Sequence, residues 1–595
     1  MFFTKFDPMT LEAIQAAIDT QRRPAGGDSG ALAGKSFKCR LDGEFAPEQL
    51  EYSFKDKETL TCTENGKTYD APYSAITLGH VTLFSHLVPG ETRGWHGILN
   101  WKNKALTMFE TWFGVTVAVG GDLFGQRKPD HYRDVPREIQ RQYTCGWADF
   151  GDNEKPEDLI ATTNRIEGRG LHWNYSTGYE LLTFFPSVVC CTLVQLGDYM
   201  GDITMANPAD YLKIDDEFFI FSRGEVEFSG KLWIEVMDFF HNKAMGLEFG
   251  FEEDNSFTYS LHTADLEITG DAAHLESIYT FGNEEPPMAM MAKRKGGRYA
   301  YRPMDIDVPM THEEALQHAN ESQRIFEVDG PNIMASKNTL PFSEALIGKK
   351  FKVKPDMEKH AIAPWTGDQS VVYEYDVFSK RFLRFRINDG EWMEAKYICF
   401  EPAHDIYFFS HMIPGDPDFA NLTQACDFST GLTTTVRAQI GNWHSEWEIG
   451  SKVNFGTLEY GDIKPPFARR HHFTNDLVGK SYAWAYSSNM SSIHVYSAPE
   501  SSSWTIFQQN NAGGATWSSP CYYIKLRDDA YIFQWVEENC NGMQGLVVIN
   551  PQLLHDSGFF FGVSHGGISL NVTGAVGREL GTFNINKYFD KKGNL

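Results

Sequence analysis

The chain has 595 residues, more than one hydrophobic core holds, so two to four domains are expected. Its 42% hydrophobic and 14% aromatic residues suit a folded globular protein, and no run of 18 apolar residues spans a bilayer. A formal net charge of −26 repels phosphate backbones and anionic membranes, which argues against nucleic acid or membrane as a partner and favours a small-molecule ligand or substrate.

The N-terminus, MFFTKFDPMT, lacks the unbroken apolar segment of a signal peptide. Nine cysteines form no CxxC pair and cannot all be bridged within one chain, so reduced thiols and a cytoplasmic location are expected. In chain order the first element is a helix in PMTLEAIQAAIDTQR (8–22), which returns as PMTHEEALQHANESQR (309–324). There Thr311 and Glu314 form a capping box. ALAGKSFKC (31–39) opens the first strand region and returns as ALIGKKFKV (345–353). TLFSHLVPG (82–90) returns as YFFSHMIPG (407–415), EGRGLHWNYS (167–176) as VGKSYAWAYS (478–487), and YLKIDDEFFIF (211–221) as YIKLRDDAYIF (523–533). Five matches in unbroken order imply two homologous halves.

Within each half a second opening recurs, at Gly34, Gly168, Gly348 and Gly479, each starting about a hundred residues, a common length for one domain. The expected units are 1–150, 151–285, 286–470 and 471–595, with 282–332, including the basic Lys293-Arg294-Lys295, as the connection between halves. Runs such as YEYDVFSKRFLRFRI (373–387), DEFFIFSRGEVEF (216–228) and SFTYSLHTADLEI (256–268) alternate apolar and polar residues at period two. Turn pairs Asn65-Gly66, Asp389-Gly390 and Asn541-Gly542 join them as hairpins. The fold class is therefore all-β with short helices, its meander hairpins suiting a sandwich or an antiparallel up-and-down barrel, and the barrel is favoured because closure removes exposed edges.

A helix, a GKxF strand opening, a strand ending FSH(L/M)(V/I)PG and a second barrel opening on an aromatic pair resemble the MoaF family, called molybdenum cofactor biosynthesis protein F. The resemblance implies an N-terminal and a C-terminal lipocalin-like domain in each half, so four calycin-type barrels in tandem duplication. The kin it implies include cofactor-free phenolic acid decarboxylases and pure ligand carriers. The family name supplies no activity.

Period two places Phe84, His86 and Val88 on one face, repeated as Phe409, His411 and Ile413. Facing a cavity, His86 would move a proton near neutral pH; the competing reading is a core histidine that fixes a strand. His172 shares a face with Asn174 and Ser176, opposite Trp173 and Tyr175, and the second half has Ala483 in its place beside Trp484 and Tyr486. His172 is accordingly the second candidate for proton transfer, with a solvent-facing position as its alternative. Phe84, Trp173, Tyr175, Phe409, His411 and Trp484 are the expected substrate-binding residues. Trp95-His96 and Trp443-His444 are expected at the surface or rim, His241 and His555 in structural turns. Tyr373 and Tyr375 around Glu374 resemble the tyrosine and carboxylate use of the decarboxylase kin.

There is no GxxxxGK[ST], HExxH or zinc-spaced histidine set, so no metal or other cofactor is expected. The expected function is a cofactor-independent lyase, decarboxylase, isomerase or cyclase acting on an apolar or aromatic metabolite. The alternative is a non-catalytic binding or carrier protein.

Overall fold

The alternating stretches close into four antiparallel barrels of eight strands each. The computed structural model describes residues 9–43, 46–113, 139–188, 190–197, 203–225, 231–252, 254–273, 311–321, 323–326, 337–361, 371–442, 449–488, 490–508, 516–537, 543–563 and 567–589. The first barrel runs from strand Ser36–Asp42 to strand Ile139–Asp149, which pair with each other at Arg40↔Trp147. The second runs from Arg169–Tyr175 to Phe257–Asp271, closed at His172↔Glu267. The third runs from Lys350–Ala361 to Ile449–Glu459, closed at Lys354↔Thr457. The fourth runs from Lys480–Ser487 to Ile568–Thr582, closed at Trp484↔Gly577.

Local chemistry explains the hairpins. Asn65 and Gly66 both have positive φ (47° and 83°), the conformation that matches a two-residue turn to the twist of its strands. At the Asp389-Gly390 turn the positive φ falls one residue earlier, on Asn388 (53°). Asn541-Gly542 and residues 282–310, with the basic connection, lie outside the described residues.

Among the described residues each half carries one ten-residue helix at the seam between its two barrels. Helix Leu11–Thr20 is capped by Thr10, whose side chain accepts from Ala13 N at 3.2 Å, and buries Ile14 and Ile18. They pack with Leu83 and Ile98 of the first barrel and Ile220, Ile234 and Leu247 of the second. Helix His312–Glu321 opens on the expected capping box: Thr311 N donates to Glu314 Oε2 (2.9 Å) and Glu314 N to Thr311 Oγ1 (3.2 Å). Its Ala315 and Ala319 are buried where the third barrel meets the fourth. The two halves touch through the second and fourth barrels, where Thr204 Oγ1 lies 2.7 Å from both Ser497 and Ser501 Oγ. Among the described residues no helix is long and apolar enough to cross a membrane. The eight described cysteines are free thiols, six of them buried.

This packing leaves some strands without a solvent face. All seven residues of Val81–Leu87 are buried, one side inside the first barrel and the other against the second.

Candidate functional site

Phe84 and His86 occupy the inner side of that strand. Phe84 stands edge-on to Tyr52 (centroids 5.4 Å, 79°), whose hydroxyl lies 3.1 Å from His86 Nε2. The third barrel repeats the arrangement: Phe409 is edge-on to Tyr375 (5.3 Å, 89°), whose hydroxyl lies 3.2 Å from His411 Nε2. There the pair is saturated. His411 Nδ1 donates to the Met412 carbonyl (2.9 Å), and Gln424 donates to the Tyr375 hydroxyl (3.1 Å). Glu374, beside Tyr375 in sequence, points outward to Arg386 (2.7 Å). Tyrosine and carboxylate therefore do not share that interior.

Burial pushes His86 down to about 3 and His411 to about 4, each opposed only by a backbone hydrogen bond. Both are neutral at pH 7. An unfolded imidazole takes its proton below about 6.5, whereas these folded ones resist to 3–4, so the unfolded state binds more protons in that interval. Stability contributed by each is complete above pH 6.5 and falls by about 1.4 kcal/mol per pH unit on acidification. Denaturant midpoints measured between pH 7 and 4.5 should fall less steeply by that amount in His411→Gln; an unchanged slope contradicts the assignment.

His172 sits apart from His86, on the outer face of the second barrel. Its Nε2 lies 3.2 Å from Glu180 Oε2 and its ring stacks on Tyr588 of the short C-terminal helix Asn586–Phe589 (4.3 Å, 27°). Burial lowers its pKa and Glu180 opposes the shift. One ligand cannot touch both histidines. The six expected substrate-binding residues are likewise divided: Phe84 in the first barrel, Trp173 and Tyr175 in the second, Phe409 and His411 in the third, Trp484 in the fourth. Trp95 and His96 are fully covered rather than at a rim. His96 bridges Ser85 (2.7 Å) and Thr111 (2.8 Å), because the second barrel covers that side of its strand. His241 is exposed against Asp238 (2.7 Å) and His555 reaches the Asn338 carbonyl (2.8 Å), as structural turns do. Trp443-His444 lies outside the described residues.

The second barrel holds the densest chemistry. Trp173 and Tyr175 stack inside it (5.8 Å, 7°), inward because their faces remove more apolar area from water than His172 and Asn174 would. The Tyr175 hydroxyl donates to Glu235 Oε1 (3.1 Å), and His262 Nε2 bridges both carboxylate oxygens, 3.0 Å from Oε1 and 3.2 Å from Oε2. Glu235 is 0% exposed and His262 4%. Strand pairing stacks Phe221, Glu235, Gly246 and His262 side by side across four strands. Gly246 is required there: a Cβ would lie 2.1 Å from Glu235 Oε2 and 2.6 Å from His262 Nε2. Arg223, also fully buried, lays its guanidinium over Trp233 (4.6 Å) one diagonal step from Glu235. Burial and the Glu235 charge push the Tyr175 phenol well above its ordinary range, so it is a proton donor at neutral pH.

Glu235, Arg223 and His262 escape motif search because they lie on separate strands. Their trace is a charged residue at an inward position of an otherwise apolar alternation, as in KLWIEVM (231–237). Two groups among the described residues bring three possible metal-ligand atoms within 4.8 Å: His80, Asp215 and Glu217, and Glu401, His404 and Asp405. Ion pairs account for the first, His80 with Asp215 (2.6 Å) and Lys102 with Glu217 (3.2 Å). The second lies on a hairpin with His404 exposed. Neither adjoins the Glu235 site.

Residues 471–582 match the family model described as MoaF C-terminal domain, a span that contains all eight strands of the fourth barrel. The chain is MoaF-like there. No curated protein matches the chain. Among solved structures, one from Burkholderia vietnamiensis, described provisionally as a beta-lactamase, is similar at 19% identity over 20% of this chain and 95% of that chain, with a TM-score of 0.14.

Proposed function

We propose that the protein is a cofactor-free enzyme that moves protons on a small, apolar or aromatic metabolite inside the second barrel. The observation that carries this reading is a fully buried carboxylate, Glu235, held between the Tyr175 hydroxyl and His262 in an aromatic interior. Reading residues inward, His262 orients Glu235 by a hydrogen bond shared between its two oxygens, and Oε2, which carries only the longer half of that bond, is the one to act as base. Glu235 takes a proton from carbon or oxygen of the substrate, and the electron pair moves into its π-system. Arg223 stabilises the resulting enolate or phenolate, joined by the Tyr175 hydroxyl once protonation of Glu235 releases it to turn to the oxyanion, and such contacts are worth more in a dry site than in water. Return of the proton at another carbon completes an isomerisation; expulsion of an anionic leaving group by the carbanion makes the step an elimination; and where the proton is returned to the carbon that bears a carboxylate, carbon dioxide is lost and its electron pair flows back to the oxyanion, a decarboxylation. Free thiols and the acidic surface favour a cytosolic setting with a small-molecule partner.

The competing reading, a carrier, draws on the third barrel, where every polar atom of the Tyr375–His411 pair is already engaged.

Incubation in D2O with enolisable carbonyl compounds and hydroxylated aromatic acids, followed by mass spectrometry, separates the two. Deuterium uptake or loss of carbon dioxide is expected, with Tyr175→Phe slower by about 10-fold, the worth of one hydrogen bond of roughly 1.5 kcal/mol. Absence of any conversion, or a Tyr175→Phe rate equal to wild type, favours the carrier.

A further inference from the structure

The fourth barrel copies the second in register but not in chemistry. Where the second aligns Phe221, Glu235, Gly246 and His262, the fourth aligns Phe533, Val547, Gly558 and Thr573. Trp535 stands at the Arg223 position and Asp556 at that of Ala244. The acid–base set is gone.

What replaces it is a polar stripe with unmet hydrogen bonds among aromatic walls. Asp556 Oδ1, Thr573 Oγ1, Asn571 Oδ1, His494 Nδ1 and Trp504 Nε1 are all buried without a hydrogen-bond partner. Their residues are 0–6% exposed. Asp556, Thr573 and Asn571 lie on the two adjoining strands His555–Val563 and Ile568–Thr582, at successive inward positions. In the same interior His494 lies among Tyr496, Phe533 and Trp535, with centroids 6.0–6.4 Å away. Buried polar atoms are normally paired, and a set of five in one interior marks groups that await a partner.

We infer that the interior of the fourth barrel is a second, non-catalytic binding site for an uncharged planar aromatic molecule carrying hydroxyl or carbonyl groups. The Trp484, Tyr496, Phe533 and Trp535 rings supply flat apolar walls. The stripe supplies both acceptors and donors, so a hydroxyl or carbonyl finds its complement. Charge is what the site lacks. Burial pushes Asp556 up to about 8 and His494 down to about 3, so both are neutral near pH 7, and no arginine or glutamate stands at the positions that carry them in the second barrel. An anion would lose its hydration there without a counter-charge.

Calorimetric titration of the full chain with 2-naphthol and 2-naphthoate tests this. Saturable 2-naphthol binding at least 10-fold tighter than 2-naphthoate binding is expected. The paired substitution Asn571→Leu with Thr573→Val should weaken 2-naphthol binding at least 10-fold, and Tyr175→Phe in the second barrel should leave that site's affinity unchanged. Asp556→Asn, which keeps an uncharged hydrogen-bonding group, should bind within about 3-fold of wild type and serves where the paired variant does not fold. No saturable binding, equal affinity for the anion, or binding lost in Tyr175→Phe but kept in the fourth-barrel variants each overturns the inference. None of these results bears on whether Glu235 catalyses.

Discussion

Replacing Glu235 by glutamine will lower turnover of the substrate found by solvent-exchange screening by about 10²–10⁴-fold, the usual worth of a positioned acid or base. Glutamine keeps the volume and the chain length, so the Tyr175 and His262 contacts at 3.1 and 3.0 Å lose little shape. It cannot accept a substrate proton, and its NH2 group would set a donor against one of the two donors now facing the carboxylate. Gly246→Ala reaches the same pair from behind. The added methyl has no room 2.1 Å from Glu235 Oε2, so the carboxylate must turn away, at a stability cost of about 1–3 kcal/mol. Turnover should fall by a similar factor although no reactive atom has changed. The measurement is kcat/KM for both variants with circular dichroism to confirm folding. Full activity in Glu235→Gln would exclude the carboxylate as base; full activity in Gly246→Ala would show that its position is immaterial.

Much of the fold is legible in the residues because it is locally encoded. Period two in Val81–Leu87 correctly puts Phe84 and His86 together on one face, and the Thr311–Glu314 box is written in four adjacent residues. Asn65-Gly66 likewise specifies its own turn. The site is less legible because it is assembled across strands. Alternation separates His172 from Trp173 and Tyr175 but does not say which face looks inward; the larger apolar area decides, and His172 is left outside against Tyr588. Trp95 and His96 mislead for a related reason. A strand sandwiched between two barrels buries both faces, so polar His96 is covered by the neighbouring barrel rather than by its own. Glu235 and His262 are 27 residues apart in sequence, with a strand between them, and only the register at Gly246 brings them into contact.

Arg141→Met will destabilise the junction of the first and second barrels by about 3–5 kcal/mol, an effect of removing one partner of a buried ion pair. Arg141 and Asp210 are 4% and 3% exposed in their side chains, and Arg141 Nε donates to Asp210 Oδ2 at 2.9 Å and to Ser222 Oγ at 3.2 Å. Ser222 in turn donates to Asp210 Oδ2 (3.0 Å), so the carboxylate keeps one weak donor when the guanidinium is gone. That is too little to offset a charge out of water. The arginine belongs to strand Ile139–Asp149 of the first barrel and the aspartate to strand Thr204–Lys213 of the second, so the loss falls on the contact between them. Pairing the change with Asp210→Leu removes the orphaned charge. The double variant should recover to wild-type stability or exceed it by about 1–4 kcal/mol, since apolar side chains of similar volume satisfy a dry seam without desolvation. Denaturant midpoints for wild type, both single variants and the double give the coupling directly. A single variant costing under about 1 kcal/mol would mean that water reaches the pair. A double variant as weak as the single would mean that the ion pair also fixes the geometry of the seam, a role that apolar packing cannot take over.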